Sequence, residues 1–351
     1  MVDIDKHVIQ TGATVILALD KLNNLGSDLT LTLFIIDNEQ VILGTITDGD
    51  IRRGLINGLQ TTDVVDKFMN KHFHFLQQNN YDIDKLDELR RLNIQIVPIV
   101  DENNRIIRII NLSKKKSILP IDVVIMAGGR GERLRPLTDS IPKPLLHIGE
   151  KPIIEYNIDR LYDYGAWNMF ITVNYLADQI IDWINSKDKY NGIVNYVKEK
   201  KPLGTIGSVS LIRDKFKHNT VLITNSDLLT NINYEEFYRS FIESNADMIL
   251  ATIPYLVNIP YAVIETQDNK VISFKEKPIY NYQSNAGIYL IKKELLDLIP
   301  DQNHINATDF MQLLISKGYN VTTFPVFNYW LDIGRYEDYI KAQNDLKNIK
   351  F

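Results

Sequence analysis

The chain has 351 residues, with 39 Lys+Arg against 44 Asp+Glu for a net charge of −5, 45% apolar residues and no cysteine. That length suits about two domains, the acidic balance argues against nucleic acid as a partner, and the missing cysteines exclude a disulfide framework, a thiolate zinc site and a cysteine nucleophile. No apolar run approaches the roughly 18–20 residues of a membrane helix, and Met1-Val2-Asp3-Ile4-Asp5 is acidic where a signal peptide is basic, so a cytoplasmic protein with no membrane partner is expected.

The first hundred residues repeat themselves at an offset of 64 positions. Asp20-Lys21-Leu22 falls on Asp84-Lys85-Leu86, Leu33-Phe34-Ile35-Ile36-Asp37 on Val97-Pro98-Ile99-Val100-Asp101, and Ile42-Leu43-Gly44-Thr45-Ile46 on Ile106-Ile107-Arg108-Ile109-Ile110. Each copy reads helix, strand, polar turn, strand, and Val15, Leu19, Leu22 and Leu25 make one apolar helical stripe. A unit of about 60 residues cannot cover its own sheet, so the halves are expected to pack as one pseudo-symmetric α+β module over residues 1–117. Ser113-Lys114-Lys115-Lys116-Ser117, closed by Pro120, reads as the linker to a second domain over residues 118–351.

The repeated pattern resembles a pair of cystathionine-β-synthase-type (CBS) repeats over roughly residues 5–115. The resemblance implies a homo-oligomer formed through this module and a regulatory nucleotide gripped by a hydroxyl and an Asp three residues later, which are Thr47 and Asp50 in the first copy. In the second copy Gly44, Thr47 and Asp50 are replaced by Arg108, Asn111 and Lys114. An ammonium has no acceptor for ribose hydroxyls. At most one nucleotide site is therefore expected, and a module that only dimerises remains the alternative.

The second domain opens with Asp122-Val123-Val124-Ile125-Met126, a buried-strand run, followed by the glycine-rich loop Ala127-Gly128-Gly129-Arg130-Gly131-Glu132-Arg133. Further apolar runs at 169–173, 220–224 and 247–252 alternate with helical segments at 153–164 and 234–245. The expected fold class is α/β: a mostly parallel, Rossmann-like sheet with helices on both faces. Glycines 128, 129 and 131 would let backbone N–H groups approach a triphosphate, although a glycine loop that is neither G-x-G-x-x-G nor a Walker sequence is equally well a structural turn. Downstream, Pro142-Lys143-Pro144 holds a lysine on a stiff extended segment, and Arg133 stands beside the loop, so fixed cations could meet departing pyrophosphate. Asp227 lies at the carboxyl end of a strand, where it could hold Mg²⁺ or simply cap a turn.

Gly129-x-Gly131-x-Arg133 followed by Pro142-Lys143-Pro144 resembles the signature of the sugar-1-phosphate nucleotidylyltransferases. The resemblance continues in register through Glu199-Lys200-Lys201-Pro202-Leu203-Gly204-Thr205, Asn225-Ser226-Asp227, Phe274-Lys275-Glu276-Lys277-Pro278, Asn285-Ala286-Gly287-Ile288-Tyr289 and Trp330-Leu331-Asp332-Ile333-Gly334. It implies Mg²⁺ on Asp227 and Asp332, Lys277 on the sugar phosphate, and Glu276, Asn285 and Gly287 around the sugar. It also implies that Ala127, Gly128, Gly129 and Gly131, together with Glu199, Gly204 and Thr205, bind the nucleotide. Arg133, Lys143 and Lys277 would be the catalytic cations.

The implied reaction joins a nucleoside triphosphate to a sugar 1-phosphate and releases pyrophosphate. The attacking phosphate oxygen is already anionic, so alignment and charge neutralisation would carry the catalysis. A CBS pair joined to such a domain resembles guanylyltransferases that activate mannose, heptose or amino-sugar 1-phosphates for surface glycans, which favours GTP. One departure bears on the sugar: Tyr261-Ala262 stands where the family often has Tyr-Gly. The rival reading is a non-catalytic, nucleotide-sensing subunit, disfavoured because Arg133, Lys143, Asp227, Lys277 and Asp332 are all kept.

Overall fold

The computed structural model describes residues 3–26, 31–78, 83–349 and 351; Met1 and Val2 of the acidic amino terminus lie outside the described residues. The chain divides into two compact units, Met1–Pro120 and Ile121–Phe351. Among the described residues no helix is long and apolar enough to cross a membrane.

In the first unit, β1 (Val8–Gln10), α1 (Val15–Asn24), β2 (Thr32–Ile36), β3 (Ile42–Thr47) and α2 (Asp48–Ile56) are followed by β4 (Leu76–Gln77), α3 (Ile83–Arg91), β5 (Ile96–Val100) and β6 (Ile106–Asn111). The strands form two sheets of the same order, β1-β2-β3 and β4-β5-β6, each with one parallel and one antiparallel pair. The repeat extends to backbone detail. A bulge interrupts the hairpin ladder between Ile35 and Ile36 in one copy and between Ile99 and Val100 in the other, the same offset of 64. Asp37 Oδ1 accepts from the N–H groups of Glu39 and Val41, as Asp101 Oδ1 does from those of Asn103 and Arg105, and Gln40 and Asn104 both take positive φ. These are turns that an Asp stabilises through its own downstream backbone. Phe34, Ile42, Ile96, Val100 and Ile109 form a core drawn from both copies.

The second unit contains β7 (Asp122–Ala127), α4 (Ile153–Asp163), β8 (Asn168–Val173), α5 (Ala177–Asn185), β9 (Val194–Lys198), β10 (Thr220–Asn225), β11 (Leu228–Thr230), α6 (Tyr234–Glu243), β12 (Met248–Asn258), β13 (Val263–Gln267), β14 (Lys270–Lys275), β15 (Ile279–Lys292), α7 (Ala307–Ser316), β16 (Val321–Pro325), β17 (Trp330–Asp332) and α8 (Tyr336–Asp345). Seven strands form the central sheet in the order β9-β8-β7-β10-β15-β12-β16. Val123, Val124 and Ile125 are completely buried, as expected of a central strand covered on both faces. On one side of the sheet Val124, Val221, Ile223, Met248 and Ile291 share a core with Phe310 and Leu314 of α7.

The sheet is mixed, which corrects the expectation of a mostly parallel one: β15 runs antiparallel to both neighbours, β10 and β12. The physical reason is its connection. The chain leaves β12 only for the β13–β14 hairpin and returns directly, and an antiparallel return needs no helical crossover. The outer halves of β12 and β15 pair from Thr252–Asn285 to Asn258–Ile279. Beyond the core their residues become exposed, as do those of the hairpin, including Tyr255, Phe274 and Ile279.

Candidate active site

The glycine loop leaves the carboxyl end of β7 and forms one wall of a cleft of about 590 Å³. Gly131 takes φ +63 at the start of a short 3₁₀ turn, Glu132–Leu134. Gly128 lies close against the opposite wall: a Cβ there would stand 2.8 Å from Glu199 Oε1 and displace that carboxyl. Glu199 follows β9 and forms the facing wall. Its Oε2 accepts from the Leu203 N–H at 3.1 Å, and burial pushes its carboxyl above the usual range. Thr205, on the same wall, accepts the Ala307 N–H at the start of α7 at 2.8 Å, while Gly204 takes φ +82 and sits so close to the Ile305 carbonyl that a Cβ would strike it.

The floor carries the charges. Asn157, buried on α4, donates to the carbonyls of Ser226 and Leu228 at 3.4 and 2.8 Å and so holds the turn that presents Asp227. Immediately after the turn β11 pairs antiparallel with β17, setting Leu228 opposite Asp332, and the Ile333 N–H donates to the Asp227 carbonyl at 3.1 Å. Two carboxylates about a hundred positions apart in sequence thus come to one point. The Lys143 ammonium forms an ion pair with Asp227 Oδ2 and stands 3.8 Å from Asp332 Oδ1. The second oxygen of Asp227, Oδ1, and Oδ1 of Asp332 are shut off from solvent and have no hydrogen-bond partner. Burial first, and then the neighbouring Asp227 charge, raise the Asp332 carboxyl above its ordinary value; Lys143 and Arg133 pull the other way.

This donor set fits a hard divalent cation. Mg²⁺ is commonly held by one or two carboxylates completed by substrate phosphates, and oxygens hidden from water without a donor are what such an ion would satisfy. Among the described residues no group of three or more His, Asp or Glu stands together as a metal cage.

The other sequence-predicted residues are distributed unevenly. Gly128, Gly129, Gly131, Arg133, Lys143, Glu199, Gly204, Thr205 and Asp227 line the cleft, whereas Ala127 is buried at the end of β7 behind it. Gly287, on β15, lies behind the floor at φ +73, where a Cβ would come within 2.6 Å of the Asn225 amide, itself a cleft residue. Asn285 accepts the Gly287 N–H at 2.9 Å and donates to the Tyr289 hydroxyl at 2.8 Å, and Trp330 Nε1 on β17 donates to the Ala286 carbonyl. Glu276 and Lys277 are exposed at the end of the β13–β14 hairpin, outside the cleft lining, with Lys277 at φ +43. The cleft also includes Asn225, Ser226 and Gly334, which belong to the motifs that carry the family resemblance but drew no role from the sequence, and His304, for which the sequence offered no spacing pattern.

In the first unit Thr47 and Asp50 line a separate cleft of about 550 Å³ with Phe34, Asn70, His72 and Phe73. They already serve a local purpose, forming a reciprocal capping box for α2: Asp50 Oδ2 accepts from the Thr47 N–H and hydroxyl at 2.9 and 2.6 Å, and Thr47 Oγ1 accepts the Asp50 N–H at 3.2 Å. Arg53 pairs with the other Asp50 oxygen at 2.5 Å.

A glycine loop after the first strand of an α/β sheet, facing a strand-end carboxylate pair, is an arrangement suited to phosphates and a cation, as in folds of the nucleotide-binding class. Residues 122–349 match the nucleotidyl transferase family, and the chain belongs to it. A probable mannose-1-phosphate guanylyltransferase of Oryza sativa subsp. japonica is 32% identical over 62% of this chain and 62% of its own length. A D-glycero-α-D-manno-heptose 1-phosphate guanylyltransferase of Aneurinibacillus thermoaerophilus is 30% identical over 65% of this chain and 99% of its own. The match with the rice protein thus spans less than two thirds of that relative. A crystal structure of HddC from Yersinia pseudotuberculosis complexed with GMP-PN is similar in fold, with a TM-score of 0.52, 26% identity, and coverage of 64% of this chain and 99% of that one.

Proposed function

We propose that the second unit transfers a nucleotidyl group from GTP to a sugar 1-phosphate, releasing pyrophosphate and forming a nucleotide sugar for surface-glycan synthesis in the cytoplasm. The observation that carries this reading is the Asp227–Asp332 pair, with two solvent-shielded oxygens lacking donors, in which Asp227 lines the glycine-loop cleft and Asp332 stands beside it. The glycine loop, from Gly128 to Gly131, receives the triphosphate on backbone N–H groups. Arg133 and Lys143 neutralise the departing pyrophosphate, and Lys277, at the exposed end of the β13–β14 hairpin, holds the sugar phosphate. Mg²⁺ held by Asp227 and Asp332 supplies charge neutralisation at the α-phosphate. No general base is needed, since the attacking oxygen is already ionised.

Support for GTP comes from Glu199. A carboxylate on the cleft wall accepts from both N1–H and the N2 amino group of guanine, whereas uracil and thymine offer one ring N–H and adenine one amino group. The guanylyltransferase relatives and the GMP-PN complex agree with that preference, and their names support a mannose- or heptose-type sugar. For the first unit we propose a CBS pair that self-associates and takes one nucleotide at Thr47 and Asp50, with Asp50 exchanging Arg53 for ribose hydroxyls.

The test of the reaction is pyrophosphate release from each of the four common triphosphates against a panel of sugar 1-phosphates. GTP with a mannose or heptose 1-phosphate should be the best pair, and no release from any pair would overturn the reading. Calorimetry with adenine and guanine nucleotides on the full chain tests the module. One site lost in Asp50→Ala is expected, and two equivalent sites would refute the asymmetry.

A further inference from the structure

Lys143 stands where a cation between the two carboxylates would stand. Its ammonium is ion-paired with Asp227 and lies 3.8 Å from Asp332, and the residue is only 8% exposed. The backbone that carries it is stiff: Pro142 and Pro144 flank it, and the Leu145 and Leu146 N–H groups close a 3₁₀ turn on the carbonyls of Pro142 and Lys143. The stem runs against the phosphate loop, since a Cβ on Gly131 would stand 3.1 Å from Lys143 Cβ. A fixed backbone with a flexible four-carbon side chain therefore offers the ammonium two stations, the carboxylate pair behind it and the mouth of the glycine loop in front.

We infer that Lys143 is an exchangeable internal counter-ion: it neutralises Asp227 and Asp332 in the free protein and passes to the triphosphate when a divalent cation takes its place. This rests on the reading of the carboxylate pair as a cation site. An ammonium and a dication cannot share one pair of carboxylates at contact distance without strong repulsion. The free protein therefore binds the cation weakly. Arrival of a triphosphate gives Lys143 a new anionic partner and frees the pair. Cation and triphosphate then bind with positive coupling, each raising the affinity for the other by the same factor.

The test is Mn²⁺ binding to the full chain, followed by electron paramagnetic resonance of the free ion, with and without a guanosine triphosphate analogue whose α–β bridge is methylene. After subtraction of the Mn²⁺ that the analogue chelates in the absence of protein, wild type should bind Mn²⁺ weakly alone and at least ~10-fold more tightly with the analogue, the coupling range of two linked sites. Lys143→Met should bind Mn²⁺ alone at least ~10-fold more tightly than wild type, with the coupling reduced. Lys143→Gln, which keeps a polar tip, should do the same and covers the case in which the Met variant fails to fold. Unchanged or weaker binding of Mn²⁺ alone in the folded variant overturns the exchange; the coupling that remains in the variant is the part due to phosphates coordinating the ion directly. Pyrophosphate release by wild type is measured in parallel. An inactive wild type with tightened Mn²⁺ binding in the variants would sink the proposed reaction and leave the exchange standing; an active wild type with no tightening would do the reverse.

Discussion

Gly287→Ala tests how the sheet supports the cleft. Gly287 takes φ +73, a region where an L-residue costs about 1–2 kcal/mol. Its new Cβ would also stand 2.6 Å from Asn225 Nδ2, closer than such atoms pack, so the amide must retreat by about 0.4 Å or more from the cleft that it lines. The conformational part should lower the melting temperature of this unit by roughly 2–8 °C, at 2–4 °C per kcal/mol for a domain of this size. Displacement of a group that positions substrate should reduce kcat/KM by roughly 10- to 100-fold. Gly318→Ala separates the two effects, because Gly318 has φ +82 but nothing within 4 Å of its added Cβ. Calorimetric melting and pyrophosphate release are measured on both variants. Gly318→Ala should lose stability and keep its activity; Gly287→Ala should lose both. Full activity in Gly287→Ala, or equal loss in the two variants, would refute the positioning of Asn225 by close packing against β15.

Asp227→Asn and Asp332→Asn should each fold and lower turnover by at least ~10², because each removes charge from the cation site; near-normal pyrophosphate release from both would sink the metal assignment. Lys277→Ala should raise KM for the sugar 1-phosphate while leaving triphosphate binding unchanged, and an equal defect toward both substrates would show that the exposed hairpin does not serve the sugar alone. Burial lowers the pKa of His7, whose Nδ1 contacts the Thr32 carbonyl at 2.9 Å and whose Nε2 is buried without a partner. The unfolded chain therefore takes up the proton first, and the stability of the first unit should fall as pH drops from about 6.5 through the lower folded pKa. Urea midpoints between pH 7.5 and 5.5 should show a steeper decline in wild type than in His7→Leu, and equal slopes would exclude His7.

Local signals made part of this protein legible without a structure. The offset of 64 is visible in apolar pattern and turn chemistry alone, because Asp37 and Asp101 each organise a turn through their own neighbours, and the matching bulges at Ile35 and Ile99 follow from the same local pairing. The glycine loop is equally local: a strand must end, and Gly131 must take a positive φ, within a few residues. The course of β15 was not read from the sequence: the missing helical crossover favours an antiparallel return, but the outer halves of β12 and β15 and the hairpin between them are exposed and lack the buried-strand pattern that would announce them as paired strands. Nor could spacing bring Asp332 to Asp227, since the pairing of β11 with β17 is a long-range contact chosen by the packing of Leu229, Leu331 and Ile333 in a common core. The pairing of Lys143 with Asp227 was likewise decided in three dimensions. A proline-flanked lysine advertises a fixed cation, but which anion it meets depends on the turn that Asn157 holds from α4.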